Sequence, residues 1–171
     1  MKKIISLMLL VMAIISPCMA DSPVFIEKMV QDPNVTVTYI SQAMLGKKNY
    51  KDMMARLPIS SEDARFEAVH IFNCQSQASS NAARNYVADY VKEKTAESEK
   101  INAEHGKIVQ NNPQLLMKSA SGDTSTLIYG FYRTKDSYWF NQIIILMTEN
   151  KKTTLIDIKG LFPIRSLIIG N

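Results

Sequence analysis

The C-terminal third of this chain carries four strand signals in close succession, and this pattern constrains the fold more than any other feature. After Asn112-Pro113, runs of β-branched and aromatic residues alternate with short polar segments typical of turns. The runs cover residues 115–118, 125–132, 138–148 and 153–160. Strands joined by short turns pair antiparallel because the turn reverses the chain. The sequence therefore predicts an antiparallel meander.

The preceding part of the chain predicts two more strands and several helices. Residues 35–40 and 66–74 have strand composition, and Ser22-Pro23 begins a short helix. A long helix follows from Ser80 to about His105, with one apolar face formed by Ala83, Tyr86, Val87, Tyr90 and Val91. Its second half is mostly charged or small, which predicts a solvated arm.

These elements predict an α+β fold with two layers. We expect an antiparallel sheet of five to six strands, with the long helix and shorter helices packed mainly on one face. Residues 21–171 are enough for one domain with its own hydrophobic core, and no repeat or linker divides them.

Two turns set the predicted register of the meander. Pairing Tyr132 with Tyr138 puts Phe131 opposite Trp139 and Leu127 opposite Ile143. The predicted core face under the long helix then contains Leu127, Tyr129, Phe131, Trp139, Ile143, Ile145, Met147, Ile156 and Ile158.

The second turn aligns the last two strands. Pairing Thr148 with Thr153 puts Ile145 opposite Ile156 and Ile143 opposite Ile158. In the same register, pairs at neighbouring positions include Ile144 with Asp157 and Gln142 with Lys159.

The other predicted sheet face is unusually apolar for a surface in contact with water. It contains Tyr132, Tyr138, Phe140 and Ile144. Two interpretations are open: the first helix or the segment around Met53-Met54 covers this face, or the face binds a partner. Under the second interpretation, these four residues are the candidate partner-binding site.

The N-terminus has the pattern of a secretory signal peptide. Lys2 and Lys3 precede an apolar run over residues 4–15, and Cys18-Met19-Ala20 approximates a signal-peptidase site. We therefore expect residues 1–20 to be removed and the mature chain to be periplasmic or extracellular, without a transmembrane segment. Cleavage also leaves Cys74 as the only cysteine, so no intramolecular disulfide can form, and we interpret Cys74 as a buried strand residue.

Charge argues against a nucleic-acid partner. Of 20 basic residues, two leave with the leader, so 18 basic residues face 16 acidic ones in the mature chain. No cluster of four or more lysines or arginines remains. A protein of the cell envelope or a small ligand is the expected partner, and the sequence gives no oligomeric state.

The sequence contains no motif that specifies catalysis. Phosphate-binding loops, nucleophile elbows, zinc-protease motifs and paired C-x-x-C motifs are all missing. On a strand, His70 and Cys74 would lie about 13 Å apart, too far for a shared metal or a nucleophile-base contact. We therefore predict no catalytic residue, metal or cofactor. The carboxylates that could form an acid/base pair are Glu62, Asp63, Asp123, Asp136 and Asp157.

Four short segments resemble a known family. They are V-T-V-T-Y-I-S-Q-A-M-L at residues 35–45, L-L-M-K at 115–118, L-I-Y at 127–129 and T-L-I-D-I-K-G at 154–160. Together they resemble small exported proteins of unknown function from Bacteroidetes, which share an ISK-M-L strand end and a closing L-I-x-I-x-G strand. Gln42 stands where that family often has lysine. The resemblance implies a sensing or accessory role and supplies no catalytic residues.

The leading functional hypothesis is a non-catalytic binding or accessory module of the cell envelope. It would use the face with Tyr132, Tyr138 and Phe140, or the charged arm of the long helix. Two alternatives stay open at this point: a small hydrolase that uses carboxylates on the sheet, and a structural or oligomeric component of the envelope.

Overall fold

A computed structural model describes residues 23–45, 64–105, 112–132 and 139–163. Three helices and six strands lie in these ranges. In chain order they are α1 (Pro23–Gln31), β1 (Val35–Ser41), α2 (Gln42–Leu45), β2 (Arg65–Cys74), α3 (Gln77–His105), β3 (Pro113–Ser121), β4 (Thr124–Tyr132), β5 (Trp139–Glu149) and β6 (Lys152–Pro163).

The six strands form one antiparallel sheet in the order β1-β2-β6-β5-β4-β3. The predicted meander forms four of the six strands, β3 to β6, and β6 pairs with β2 of the antiparallel β1-β2 pair. Helices α1 and α3 lie on one face of the sheet. The predicted α+β class and the predicted antiparallel sheet are confirmed.

The β5-β6 hairpin has the predicted register. Asn150 and Lys151 adopt positive φ angles of 49° and 66°, which suit a two-residue turn whose twist matches that of the strands. Thr148 therefore pairs with Thr153, and their hydroxyl oxygens lie 3.2 Å apart. The four further predicted pairs are also present: Ile145 with Ile156, Ile144 with Asp157, Ile143 with Ile158 and Gln142 with Lys159.

The predicted β4-β5 register is wrong. Leu127 pairs with Leu146 rather than with Ile143, and Tyr132 pairs with Phe140. The pairing also shifts between Phe140 and Gln142 on β5, where one extra residue forms an irregularity of the bulge type. Side chains alternate along a strand, so this extra residue moves Phe140 to the face that carries Ile143.

The sheet consequently has two apolar clusters, one on each face. The helix-side cluster, under α1 and α3, consists of Met29, Phe72, Cys74, Ala83, Val87, Tyr90, Phe131, Ile144, Leu146 and Leu155. The far-side cluster consists of Ile40, Val69, Ile128, Phe140, Ile143, Ile145, Ile156, Ile158 and Phe162, with Met44 and Leu45 of α2 packed against it.

The predicted core face mixed these two clusters. Leu127, Tyr129 and Phe131 do lie on the helix side, but the β5 and β6 isoleucines predicted beside them belong to the far-side cluster. Trp139 and Met147, also predicted in the core, are 39% and 38% exposed. The error arises because the observed β4-β5 register differs from the predicted one by three residues: Leu127 pairs with Leu146 instead of Ile143.

The second half of α3 also has a buried side. Ser98 is buried, Thr95 and Asn102 are half-buried, and the Thr95 hydroxyl donates a hydrogen bond to the Val91 carbonyl. The other residues of this half are mostly exposed, as predicted for a solvated arm, but the side that carries Ser98 is not. Helix α3 is long, but its charged residues leave no apolar stretch that could cross a bilayer in the described part of the chain.

Candidate functional site

The predicted partner-binding residues do not form one exposed surface. Phe140 is fully buried in the far-side cluster, whereas Ile144 is 1% exposed in the helix-side cluster. Tyr132 is half-buried, its ring lies 4.7 Å from that of Phe140, and its hydroxyl contacts Gln114 Oε1. Tyr138 lies outside the described residues. The extra residue in β5 separates Phe140 from Ile144, so the two point to opposite faces of the sheet.

An open groove lies between α1 and α3. Its volume is about 360 Å³, which is within the range of small-molecule sites in proteins. Two residues of α1 and six of α3 line it: Phe25, Lys28, Ala82, Asn85, Tyr86, Asp89, Tyr90 and Glu93.

The apolar lining of the groove comes from one row of α3 and one residue of α1. Ala82, Tyr86 and Tyr90 recur every four residues, so they lie one above another on the helix. The ring of Phe25 stacks on that of Tyr86 with centroids 3.7 Å apart and planes within 7°. Phe25 also touches Phe72 of the sheet at 5.6 Å between ring centroids. This contact packs α1 against the helix-side cluster.

A polar row runs beside the apolar one. Asn85, Asp89 and Glu93 also recur every four residues and are exposed along the rim. Lys28, likewise exposed, lies on α1. The carboxylates of Asp89 and Glu93 form no ion pair with any described residue, and neither does the Lys28 ammonium. The groove thus presents negative charge on α3 and positive charge on α1.

A buried hydrogen-bond chain holds Tyr90 in place beneath the groove. The Tyr90 hydroxyl donates to Gln142 Oε1 at 2.9 Å, and Gln142 Nε2 donates to Asp157 Oδ1 at 2.8 Å. Tyr90 and Gln142 are 6% and 7% exposed. Buried polar groups of this kind specify one arrangement, because breaking a bond leaves its partner unsatisfied away from water. The chain therefore fixes one aromatic wall of the groove relative to β5 and β6.

His70 lies on β2 beside this buried hydrogen-bond chain. It pairs in register with Asp157 and is buried, and its ring lies 4.8 Å from that of the exposed Tyr39. Burial, together with the positive charge of Lys159, lowers the pKa of His70 below its ordinary value. Its Nδ1 accepts no hydrogen bond from any of the described residues. The folded protein therefore favours the neutral imidazole.

Cys74 is buried, as predicted. Burial raises the pKa of its thiol to about 11, and the nearby Asp32 carboxylate adds to this effect. A thiol in this state is protonated at neutral pH and is a poor nucleophile.

The carboxylates proposed for catalysis do not converge within the described chain. Asp123 lies in the turn between β3 and β4, whereas Asp157 lies in the middle of β6, with β5 and β4 between them. At about 3.3 Å per residue and 4.8 Å per strand, their backbones are more than about 13 Å apart. Glu62, Asp63 and Asp136 lie outside the described residues. The described part of the chain also holds no group of three side chains able to bind a metal ion.

Sequence reasoning identified Tyr86 and Tyr90 only as core residues and missed the rest of the groove. The four-residue spacing of Asn85, Asp89 and Glu93 was visible in the sequence. The missing information was the docking of α1, which is a contact between distant parts of the chain and leaves no local signal.

Comparison of the chain with protein-family models, curated proteins and solved structures found no match. The resemblance to small exported Bacteroidetes proteins therefore stays a prediction, and the site is defined by its own geometry.

Proposed function

We propose that this chain is an exported, non-catalytic binding or accessory module of the cell envelope, and that it binds its partner in the groove between α1 and α3. The observation that carries the proposal is the stacked pair of Phe25 and Tyr86, which leaves an open aromatic-walled groove between two helices. Aromatic rings beside a few charged groups are typical of binding sites, because the rings supply apolar contact area and the charges fix orientation.

The groove is a better candidate than the sheet face proposed from sequence. Phe140 and Ile144 are buried within the protein, so they have no surface to offer. In contrast, Asn85, Asp89 and Glu93 are exposed along the groove. A partner could therefore reach these residues without unfolding any part of the domain.

Site-specific photocrosslinking tests this proposal in the cell. A benzoylphenylalanine side chain replaces Asn85 in the full chain, expressed in its native host, and a matched probe replaces the exposed Glu104 of the same helix, which does not line the groove. We expect one reproducible crosslinked species from position 85 and none from position 104. Identical adduct patterns from the two positions, or no adduct from position 85, would contradict binding in the groove.

Export has its own test. We expect the protein recovered from the envelope fraction to begin at Asp21, as shown by N-terminal sequencing. Replacing Lys2 and Lys3 by glutamate removes the positive n-region and should lead to uncleaved protein in the cytoplasm. Full-length protein found only in the cytoplasm of the unmodified strain would overturn this part of the proposal.

A further inference from the structure

The geometry points to a peptide segment bearing lysine or arginine side chains as the occupant of the groove. This inference rests on the proposed function and adds the chemical class of the partner. Three features carry it: the uncompensated carboxylates, the aromatic rings beside them, and the length of the groove.

The carboxylates supply the charge argument. Asp89 and Glu93 are exposed one helical turn apart, where two like charges repel each other. Neither is neutralised by a described basic residue within ion-pair distance. A cation placed between them would remove the repulsion and form charge-assisted hydrogen bonds. An anionic occupant would increase the repulsion along this wall.

The aromatic row strengthens the preference for a cation. Tyr86 and Tyr90 lie in the row next to the carboxylates, and Tyr86 is the partly exposed ring of the two, since Tyr90 is only 6% exposed. Helix α3 already contains one such contact, because Lys94 Nζ lies 5.6 Å from the centroid of the Tyr90 ring. Ammonium and guanidinium groups are attracted to aromatic faces at this distance. The alkyl stems of lysine and arginine can also cover apolar surface while their charged ends reach the rim.

The dimensions of the groove favour a peptide over a single small amine. From Ala82 to Glu93 the lining residues of α3 extend over about 16 Å at 1.5 Å per residue. An extended peptide of about five residues has this length. Alternate side chains of such a peptide are about 6.6 Å apart, close to the rise of about 6 Å between Asp89 and Glu93. Lys28 on α1 would repel a third cation, so the expected pattern is two basic residues separated by one other residue.

A defined peptide tests the inference on the purified protein. The probe is acetyl-Leu-Lys-Leu-Lys-Leu-amide, and binding is followed by NMR shifts of the Tyr86 and Tyr90 rings and by titration calorimetry. Two control peptides keep the backbone, one with both lysines acetylated and one with glutamate in their place. We expect the lysine peptide to bind at least about tenfold more tightly than either control, with an affinity that falls as salt is added.

Matched protein variants locate the charge effect. Asp89→Asn with Glu93→Gln should weaken binding of the lysine peptide about tenfold, because it removes both carboxylates. Glu99→Gln with Glu104→Gln removes two exposed carboxylates of the same helix outside the groove and should leave binding unchanged. All four side chains are exposed, so unchanged circular dichroism and thermal melting are expected for both variants.

The possible failures are distinguishable. Equal binding of all three peptides with shifts at Tyr86, and no effect of the Asp89 and Glu93 substitutions, would overturn the preference for a cation while leaving the groove as the binding site. If the lysine peptide shifted the NMR signals of residues outside the groove, and both double variants lost affinity equally, the groove would not be the binding site of the peptide. The absence of binding by any peptide would overturn the peptide assignment, and crosslinking at position 85 independently decides whether the groove binds a partner.

Discussion

The two faces of the sheet contain similar aliphatic residues but differ in the polar groups buried among them. The far-side cluster is built from branched aliphatic residues with Phe140 and Phe162. All buried polar residues of the described strands lie instead at helix-side positions: His70, Gln142, Thr148 and Thr153. Burying a polar group is unfavourable unless it finds a partner, so such groups are retained where they position something. Here Gln142, which is itself bonded to Asp157, positions Tyr90, and Tyr90 joins the sheet to the groove.

The two faces of the sheet therefore have different roles. The far-side cluster stabilises the fold through apolar burial, and the helix-side cluster also aligns α3 with the strands beneath it. Substitutions on the far side should therefore change stability alone, while those in the buried hydrogen-bond chain of Tyr90, Gln142 and Asp157 should change both stability and the shape of the groove. Three substitutions test this division.

The largest effect is expected for Phe140→Asp on the far side. Phe140 is fully buried, so the variant removes a large apolar side chain and places a carboxylate without a partner in the core. We expect a loss of more than about 4 kcal/mol in the free energy of unfolding, measured by urea denaturation.

Two controls accompany this variant. Phe140→Leu keeps the site apolar and should lose only about 1–2 kcal/mol. Met147→Lys changes a residue of the same strand that is 38% exposed, and it should lose less than about 1 kcal/mol. If Phe140→Asp were as stable as Met147→Lys, Phe140 would be a surface residue, and the sheet face proposed from sequence would again be the candidate binding site.

An intermediate effect is expected for Tyr90→Phe on the helix side. The change removes only the hydroxyl that donates to Gln142 Oε1, and leaves that buried acceptor unpaired. We expect a loss of about 1–3 kcal/mol in the free energy of unfolding. Tyr129→Phe is the matched control, because the half-buried Tyr129 hydroxyl donates to no described residue and should be nearly neutral.

A double-mutant cycle with Gln142→Leu isolates this hydrogen bond. If the bond exists, the losses from Tyr90→Phe and Gln142→Leu should not add, because each removes the same interaction. Strict additivity would show that the two residues are not coupled, and the buried hydrogen-bond chain would then have no part in placing the wall of the groove.

The contrast between the two hairpins shows how far sequence determined the fold. The β5-β6 register followed correctly from a short turn at Asn150-Lys151, because a two-residue turn allows one alignment of the flanking strands. The β4-β5 connection is longer, so its length did not fix the register. The extra residue between Phe140 and Gln142 has no compositional signature, yet it reverses which face each neighbouring residue occupies.

The candidate site depended even more on contacts between distant residues. The predicted apolar face of α3, with Ala83, Tyr86, Val87, Tyr90 and Val91, does pack in the helix-side cluster. The groove exists because α1 docks beside α3 through Phe25, and neither segment carries this information alone. The burial of Ser98 likewise depends on the path of α3 over the sheet, since local composition there indicates solvent exposure.

The smallest expected effect is the dependence of stability on pH through His70. Burial, with a further contribution from Lys159, lowers the pKa of His70 in the folded protein below its ordinary value of about 6.5. The unfolded chain therefore takes up the proton first as the pH falls. The contribution of the neutral imidazole to stability is fully present above about pH 6.5 and declines as the pH falls below that value.

We expect His70→Gln to remove this decline from urea unfolding measured between pH 8 and pH 5, and His105→Gln, at the chain's other histidine, to retain it. If the stability of the wild type and of His70→Gln changed with pH in parallel, the folded protein would accept a proton at His70 as readily as the unfolded chain does. Asp157, which pairs with His70 across the strands, would then be the partner that offsets the burial of His70.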